Sequence, residues 1–165
     1  MTGASPDLPI TPAVRLLRER EIPFAPHYYT YEEHGGAARA ATELEIPLHS
    51  VVKTLVMETD ARRAFLILMH GDLDVSTKQM ARILGVKRVN PCDPASAQRQ
   101  TGYMVGGISP LGTRNQFAVY VEASVLDLPV IYLNGGRRGF LIAITPENLA
   151  RILALTPVSV AVPAV

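Results

Sequence analysis

The sequence has few of the residues that characterise secreted, membrane-spanning or metal-stabilised proteins. Its 165 residues include one cysteine, no tryptophan and only 6% aromatic residues. A single cysteine excludes an internal disulfide and fits a reducing compartment. No apolar run approaches the roughly 18 residues of a membrane span. The first residues, MTGASPDLPITP, lack the basic and apolar regions of a secretory signal. We therefore expect a cytoplasmic protein without a membrane partner.

The charge of the chain is nearly balanced, with 16 Lys and Arg against 15 Asp and Glu and a net charge of +1. Such a chain carries no overall positive field for DNA or RNA, so any nucleic-acid contact must come from a local patch. Hydrophobic residues make up 48% and charged residues 19%. This balance excludes a disordered chain and favours one packed domain. We find no repeat or linker that would divide it.

Helices are predicted from the residues that begin and end them. A capping side chain precedes a proline three times, and a capping serine begins a fourth helix. These starts are Thr11-Pro12, Asp93-Pro94, Thr145-Pro146 and Ser76. Gly85 and Gly102 end two of the helices, and the Ala-rich residues 37–45 predict a fifth helix.

Apolar runs rich in β-branched and aromatic residues predict the strands. They cover residues 26–31, 50–58, 64–70, 117–122, 130–133 and 140–144. Turns at residues 59–62 and from Asn134 onward predict two hairpins. Helices that interleave irregularly with hairpins favour an α+β fold with a mixed, curved sheet and helices packed on it. We expect residues 1–10 to be a flexible tail, residues 11–156 the domain, and residues 157–165 a tail or a short strand.

Lys53 is the most informative single residue. It lies within the predicted strand VVKTLVM, on the same face as Val51, Leu55 and Met57. An ammonium group on an apolar strand face is unfavourable unless it is paired or lines a cavity. The pattern therefore indicates either a pocket lysine that holds a phosphate or carbonyl oxygen, or an edge lysine that extends into water.

Two glycine-rich segments are further candidates. The segment GYMVGGISPLG, residues 102–112, has four glycines that permit close backbone approach to a ligand and an anion-binding arrangement of amides. It is not a Walker loop, because no Gly-Lys-Ser/Thr follows. The second segment, NGGRRG at residues 134–139, predicts a hairpin turn whose two arginines are able to contact phosphates. A purely structural loop and a solvated turn are the alternatives.

Metal and protein-nucleophile sites are not indicated. The four histidines, at positions 27, 34, 49 and 70, lack zinc-ligand spacing, and we expect them to be exposed or half-buried. Cys92 has no neighbouring histidine to activate it. Asp72 and Asp74 are able to bind a divalent ion, but we expect them to form a polar turn before the Ser76 helix. Ser109 has no assignable His/Asp partner. We expect no metal and no cofactor, and the sequence shows no general base.

These motifs resemble the free-standing aminoacyl-tRNA editing proteins related to the insertion domain of bacterial prolyl-tRNA synthetase, and most closely the YbaK-type Cys-tRNA(Pro)/Cys-tRNA(Cys) deacylases. The segments that carry the resemblance span residues 11–153: TPAVRLL, HYYTYEEH, VVKTLVM, KQMARILGVKRV, DPASAQRQTGY, TGYMVGGISPLG and YLNGGRRG. The resemblance implies a mixed, barrel-like sheet surrounded by helices, with a pocket between the Lys53 strand and the glycine loop.

The resemblance also implies an activity and its residues. The reaction is hydrolysis of the ester that joins cysteine to the 3′ end of mischarged tRNA(Pro), with the substrate's own thiol as nucleophile. The expected catalytic residues are Lys53, Gly106, Gly107, Ile108 and Ser109. The expected substrate-binding residues are Tyr31, Thr54, Pro110, Asn134, Gly135, Gly136, Arg137 and Arg138. Prolyl-tRNA synthetase is the expected protein partner.

Two positions depart from the family pattern. Asn134 stands where a small hydroxyl residue is expected, and Leu141 where an acidic residue is expected. These differences keep open a deacylase for Ala-tRNA(Pro), or another small mischarged amino acid, that uses a positioned water. A non-catalytic module that binds a tRNA end or the synthetase is the second alternative.

Overall fold

The computed structural model describes residues 7–164. Within this range the chain forms five α-helices, which are α1 Pro12–Glu19, α2 Gly36–Leu44, α3 Thr77–Leu84, α4 Pro94–Thr101 and α5 Pro146–Ala150. The ten strands are β1 Ala25–Tyr28, β2 Val52–Thr59, β3 Ala64–His70, β4 Leu73–Val75, β5 Val89–Pro91, β6 Val119–Glu122, β7 Ile131–Arg137, β8 Phe140–Ile144, β9 Leu155–Val158 and β10 Ala161–Pro163. Two 3₁₀ helices cover Leu48–Ser50 and Ala123–Asp127.

The predicted helix starts are confirmed, because each depends on a local capping interaction. The side chains of Thr11, Ser76, Asp93 and Thr145 each accept a hydrogen bond from the backbone amide three residues later. Gly85 ends α3 in the left-handed conformation, which glycine adopts without steric cost.

Three sheets make up the β structure, with strand orders β1-β8-β7, β5-β2-β3-β6-β9 and β10-β4. The five-stranded sheet is mixed, because β3 pairs parallel to β6 and β6 parallel to β9 while its other pairs are antiparallel. A parallel bridge between Val51 and Tyr132 joins this sheet to the β1-β8-β7 sheet. The mixed α+β single domain is confirmed, although its sheets do not close into a barrel.

The main core lies between the two larger sheets. It joins buried residues of β2, β3 and β6 to those of β7 and β8, and α1 and α5 add Leu17 and Leu149. A second cluster covers the opposite face of the five-stranded sheet with α3, through Met80 and Ala81. A small third cluster packs α2 against Val51 and Leu141. Strand β2, which carries Lys53, therefore contributes residues to the first two clusters, and Val51, the residue before β2, belongs to the third.

The second predicted hairpin turn is misplaced. Asn134 to Gly136 do not form the turn, because β7 continues to Arg137 and the pairing with β8 shifts between Asn134 and Arg137. This shift is a β-bulge, which adds unpaired residues to one strand. The chain reverses at Arg138 and Gly139 instead, where Gly139 has a φ of +79°.

The polar turn predicted at Asp72 and Asp74 is only partly present, because a strand begins at Leu73. Asp74 lies in strand β4 and not in a polar turn. The first six residues of the expected N-terminal tail lie outside the described residues. Beyond residue 156, β9 continues to Val158 and β10 follows. Among residues 7–164, no helix has both the length and the apolar character needed to cross a bilayer.

Candidate functional site

A cavity of about 430 Å³ lies where the start of β2, helix α2, the glycine loop and the β7–β8 hairpin meet. The segment that follows β1 forms its outer wall with Tyr29 and Tyr31, and the exposed residues Glu32, Glu33 and His34 continue that wall. Apolar side chains contribute most of the opposite wall. This arrangement is a concave, mainly apolar pocket with a few polar groups, which is the usual character of a small-ligand site.

Lys53 lines this cavity and its ammonium group is held in place. Its Nζ donates to the carbonyl oxygen of Leu73 at 2.5 Å and lies 3.4 Å from Oδ1 of Asp74. The Lys53 side chain is 24% exposed, so the charge is partly shielded from water. An ammonium group has three donor hydrogens. The two contacts to β4 therefore leave Lys53 with a donor for a ligand.

Thr54 also lines the cavity, although side chains of adjacent strand residues such as Lys53 and Thr54 point to opposite faces. Its Oγ1 is the one buried side-chain oxygen or nitrogen without a hydrogen-bond partner among residues 7–164. A buried hydroxyl without a partner costs free energy.

The glycine loop contributes Val105, Gly106 and Ile108 to the cavity. Gly106 has a φ of +91°, and a Cβ on it would lie 2.9 Å from both Cε2 and Oη of Tyr31. Glycine is therefore required for the conformation and for the close approach of Tyr31. The amides of Gly106 and Ile108 donate to no acceptor within residues 7–164, whereas the amide of Gly107 donates to Met104.

Asn134 connects the glycine loop to the bulge of β7. Its Nδ2 donates to the carbonyl oxygen of Gly106 at 2.9 Å, and its Oδ1 accepts from the amides of Gly136 at 2.7 Å and Arg137 at 3.1 Å. One side chain thus fixes the relative position of two walls of the cavity. The amide is suited to this role because it combines a donor with an acceptor.

Arg138 closes the gap between the hairpin tip and the outer wall. Its guanidinium carbon lies 4.8 Å from the centre of the Tyr31 ring, a cation–π contact. Its Nε donates to the carbonyl oxygen of Val105 at 2.9 Å. The outer wall, the hairpin and the glycine loop therefore meet at this one side chain.

The outer wall is itself anchored to α2. The amide and hydroxyl of Thr30 donate to the Glu43 carboxylate at 2.7 and 3.2 Å, and Nε of Arg39 donates to the Thr30 carbonyl oxygen. Arg39 also lies 3.5 Å from Glu43. Next to this anchor, burial raises the pKa of Tyr29, so that its hydroxyl stays protonated.

Of the thirteen site residues predicted from sequence, the structure places seven on the cavity wall. They are Tyr31, Lys53, Thr54, Gly106, Ile108, Asn134 and Arg138. Six do not line it. Gly107 packs against the hairpin backbone, and Gly135 and Gly136 pack against Phe140 and Tyr103. Ser109 and Pro110 are buried, and the Ser109 hydroxyl accepts from the Leu111 amide. Arg137 lies outside this cavity.

Ala40 and Asp74 were not predicted as site residues, whereas Leu141 was singled out from the sequence as a departure from the family pattern. Ala40, Val51 and Leu141 form a buried apolar wall, and Leu141 is 4% exposed. The acidic partner of Lys53, Asp74, is 21 residues away in the chain. Helical spacing in the Ala-rich residues 37–45 could have indicated a small-residue wall, but no local signal identifies the Lys53–Asp74 pair.

His49, His70 and Asp72 form a cluster whose composition suggests a metal site. Ligand atoms of His49, His70 and Asp72 lie within 4.8 Å of one another. The two rings, however, stack with centroids 3.6 Å apart and planes 8° apart. A ring nitrogen binds a metal in its own ring plane, and two parallel planes share no such point.

Protein groups already occupy three of the four ring nitrogens of this cluster. The Nδ1 of His70 donates to the His49 carbonyl oxygen at 2.7 Å, and its Nε2 lies 2.7 Å from the Ser124 hydroxyl. His49 Nδ1 lies 2.9 Å from Asp72 Oδ1. The expectation that all four histidines are exposed or half-buried is wrong for His70, which is completely buried.

Comparisons with known proteins relate this chain to a family. A family model described as an aminoacyl-tRNA editing domain matches residues 32–152. The chain is 29% identical over 147 residues, 88% of each protein, to the Enterococcus faecalis protein named "Putative Cys-tRNA(Pro)/Cys-tRNA(Cys) deacylase EbsC".

Solved structures show the same fold at lower identity. The hypothetical protein APE2540 superimposes with a TM-score of 0.83 at 21% identity, and covers 92% of this chain and 99% of its own. A structure described as "a putative trans-editing enzyme for prolyl tRNA synthetase" superimposes with a TM-score of 0.77 at 21% identity, and covers 92% and 98%. Because the family model matches residues 32–152, which include Lys53 and the glycine loop, the chain belongs to the aminoacyl-tRNA editing domain family.

Proposed function

We propose that this chain is a trans-editing deacylase that hydrolyses the ester of Cys-tRNA(Pro), with the cysteine thiol of the substrate as nucleophile. The observation that carries this proposal is that Lys53, Gly106 and Ile108 line one cavity, and that the amides of Gly106 and Ile108 donate to no acceptor within residues 7–164. The name of the E. faecalis relative supports the same substrate.

These donors suit the charge that develops during ester cleavage. Attack on the ester carbonyl produces a tetrahedral intermediate with a negatively charged oxygen. Backbone amides and an ammonium group stabilise such an oxygen when they are fixed before the reaction, because they need no reorganisation. Lys53 is held by Leu73 and Asp74, and the glycine loop is held by Asn134.

The cavity suits a nucleophile that the substrate brings with it. Glu32, Glu33 and His34 line it, but their side chains are 60%, 85% and 93% exposed. Side chains this exposed are not held in position to take a proton from a nucleophile, which a general base requires. In the proposed reaction the substrate sulfur forms a bond to its own carbonyl carbon as the bond to the tRNA oxygen breaks, and that oxygen takes the thiol proton. Water then opens the resulting thiolactone to free cysteine.

This chemistry also supplies the specificity. Proline has no thiol and does not undergo this attack, so correctly charged Pro-tRNA(Pro) survives. Such a second sieve is needed where a synthetase pocket cannot reject an amino acid of similar size. The near-neutral net charge of +1 fits a protein that gains tRNA affinity from a synthetase partner. We therefore propose that prolyl-tRNA synthetase is the protein partner of this chain.

The test is hydrolysis of Cys-tRNA(Pro), Ala-tRNA(Pro) and Ser-tRNA(Pro) by the purified chain, with and without EDTA and with and without prolyl-tRNA synthetase. We expect rapid loss of cysteine alone, no effect of EDTA, and a lower KM when the synthetase is present. Loss of alanine or serine would instead support a water mechanism at the apolar wall around Leu141. No loss of any amino acid would reject the deacylase and favour a binding module.

A further inference from the structure

A second cavity of about 270 Å³ lies next to the first, between the segment before α1 and the tip of the β7–β8 hairpin. Asp7 and Pro9 form one side, and Arg137, Gly139 and the β1 end form the other. Tyr29 and Arg138 line both cavities. The two cavities are therefore adjacent, with the Arg138 side chain at their boundary.

The charge of the second cavity favours a phosphate. Arg137 is exposed, and within residues 7–164 its guanidinium has no carboxylate within 4.0 Å and no hydrogen-bond acceptor. Arg138 uses Nε for the Val105 carbonyl, and its terminal nitrogens have no acceptor among the described residues. Guanidinium groups bind phosphate oxygens through pairs of parallel hydrogen bonds. Two such groups at one hairpin tip suit a ligand with consecutive phosphates.

The remaining walls suit a nucleobase. Tyr28 stacks on Phe140 with ring centres 5.4 Å apart, and Tyr28, Tyr29 and Phe140 all line the cavity. Bases stack on aromatic side chains in single-stranded nucleic-acid sites. The Asp7 carboxylate is an acceptor, and acidic side chains accept hydrogen bonds from the amino group of cytosine.

We propose that the second cavity binds the cytidine that precedes the terminal adenosine of the tRNA acceptor end. This inference rests on the proposed function, which places the aminoacylated adenosine in the first cavity. The phosphate between the two nucleotides lies at Arg138, where the cavities meet. The phosphate on the other side of the cytidine lies at Arg137, and the base lies against the tyrosines.

The kinetic test compares two small substrates that differ by this one nucleotide. They are cysteinyl-adenosine and the cysteinyl ester of the dinucleotide cytidylyl-adenosine, CpA, with a 5′ phosphate. In the wild-type protein we expect kcat/KM to be about tenfold higher for the dinucleotide ester, from base stacking and the Arg137 phosphate contact together. In Arg137→Ala we expect this ratio to fall to about 2, and Arg137→Lys, which keeps the charge, to retain part of it.

Salt dependence gives a readout that a structural defect would not change. Removal of one phosphate contact lowers the slope of log kcat/KM against log salt by about 0.7 for a single strand. We expect this decrease for the dinucleotide ester in Arg137→Ala. Arg82→Ala is the matched control, because Arg82 is exposed on α3, which packs on the opposite face of the five-stranded sheet. An unchanged slope and ratio in Arg137→Ala would overturn the inference.

Calorimetry of 5′-phosphorylated CpA and adenosine tests the cavity independently of turnover. Tighter binding of the dinucleotide to the wild-type full chain, lost in Arg137→Ala, supports the inference. Equal binding of the two ligands overturns it. Hydrolysis of neither ester, by contrast, contradicts the proposed function and leaves this binding comparison to decide the second cavity.

Discussion

The side-chain amide of Asn134 and the carbonyl of Gly106 are joined by a hydrogen bond of 2.9 Å that spans 28 residues of sequence. The same amide accepts from two backbone N–H groups of the β7 bulge. The glycine loop and the hairpin are therefore held by one side chain that uses both of its polar atoms. Replacement of this side chain tests how far the cavity depends on that connection.

We expect Asn134→Asp to separate the two roles of Asn134. The carboxylate retains the acceptors for Gly136 and Arg137 but loses the donor to Gly106 and repels its carbonyl oxygen. Deacylation of Cys-tRNA(Pro) should fall at least tenfold, while stability falls by about 1 kcal/mol. Asn134→Ala should lose both connections and about 2 kcal/mol in urea denaturation. Full activity in Asn134→Asp would show that the loop holds its shape without this bond.

We expect Lys53→Ala to reduce kcat/KM for Cys-tRNA(Pro) by at least about 100-fold, because it removes a fixed donor to the developing oxyanion. Lys53→Arg should not restore the rate, since the planar guanidinium group of arginine does not place its donors where the compact ammonium group of lysine does. The control is Lys78→Ala, an exposed lysine on α3. Circular dichroism should show all three variants folded. A Lys53→Ala variant with the wild-type rate would remove Lys53 from the mechanism.

Gly106→Ala should impair both stability and activity. An alanine at a φ of +91° is strained by about 1–2 kcal/mol, and its Cβ would displace Tyr31 from the cavity wall. Gly85→Ala is a matched control, because Gly85 has a φ of +68° with no atom within 4 Å of the added Cβ. Thermal unfolding should show a loss in both variants, but only Gly106→Ala should lose deacylation. Equal activities would indicate that Tyr31 is not needed at that position.

Cys92→Ser should leave deacylation near the wild-type rate. Cys92 is buried, lines neither cavity, and its Sγ lies 3.9 Å from Glu58 and Gln100. The substitution places a more polar group in the core, so a stability loss of about 1 kcal/mol is expected. Single-turnover rates with Cys-tRNA(Pro) provide the measurement. A large loss of rate in a folded variant would support a thiol of the protein as nucleophile.

The raised pKa of the Tyr103 hydroxyl predicts that the folded protein loses stability in alkaline solution. Burial raises the pKa of its hydroxyl above the ordinary value of 10.0, and the hydroxyl donates to the Leu111 carbonyl. Above pH 10 the unfolded chain releases this proton while the native chain keeps it. The contribution of Tyr103 is therefore complete below pH 10 and declines by up to about 1.4 kcal/mol per pH unit above it.

Urea denaturation of Tyr103→Phe at pH 8 and pH 11 measures this effect. At pH 8 we expect the variant to be about 1 kcal/mol less stable, because it lacks the bond to Leu111. At pH 11 the deficit should shrink or reverse, since phenylalanine has no proton to release. An equal deficit at both pH values would mean that other groups cause the alkaline loss.

The elements that sequence predicted well depend on local interactions. Thr11, Ser76, Asp93 and Thr145 begin helices because each side chain bonds an amide three residues away, and that information lies within one turn. The hairpin tip was misplaced because the Asn-Gly-Gly sequence is also compatible with a bulge, and the pairing between β7 and β8 decides between the two.

The candidate site was predictable only in part for a similar reason. Lys53, Gly106 and Tyr31 carry recognisable motifs, and the fold brings them together. The Asp74 contact depends on tertiary packing, which no local pattern encodes, and Leu141 was singled out only as a departure from the family pattern. The loop motif also predicted more site residues than the cavity contains. Ser109, for example, belongs to the motif but is buried within the loop and does not line the cavity.

The hydrogen bonds from Lys53 to β4 have a consequence for ligand affinity. A lysine side chain that moves freely in water loses rotational entropy when it grips a ligand, and this loss weakens binding. The Lys53 ammonium is already restricted by the Leu73 carbonyl and the Asp74 carboxylate. Its torsional freedom is therefore given up during folding. A ligand that enters the cavity meets a preorganised cation and gains nearly the full strength of the contact.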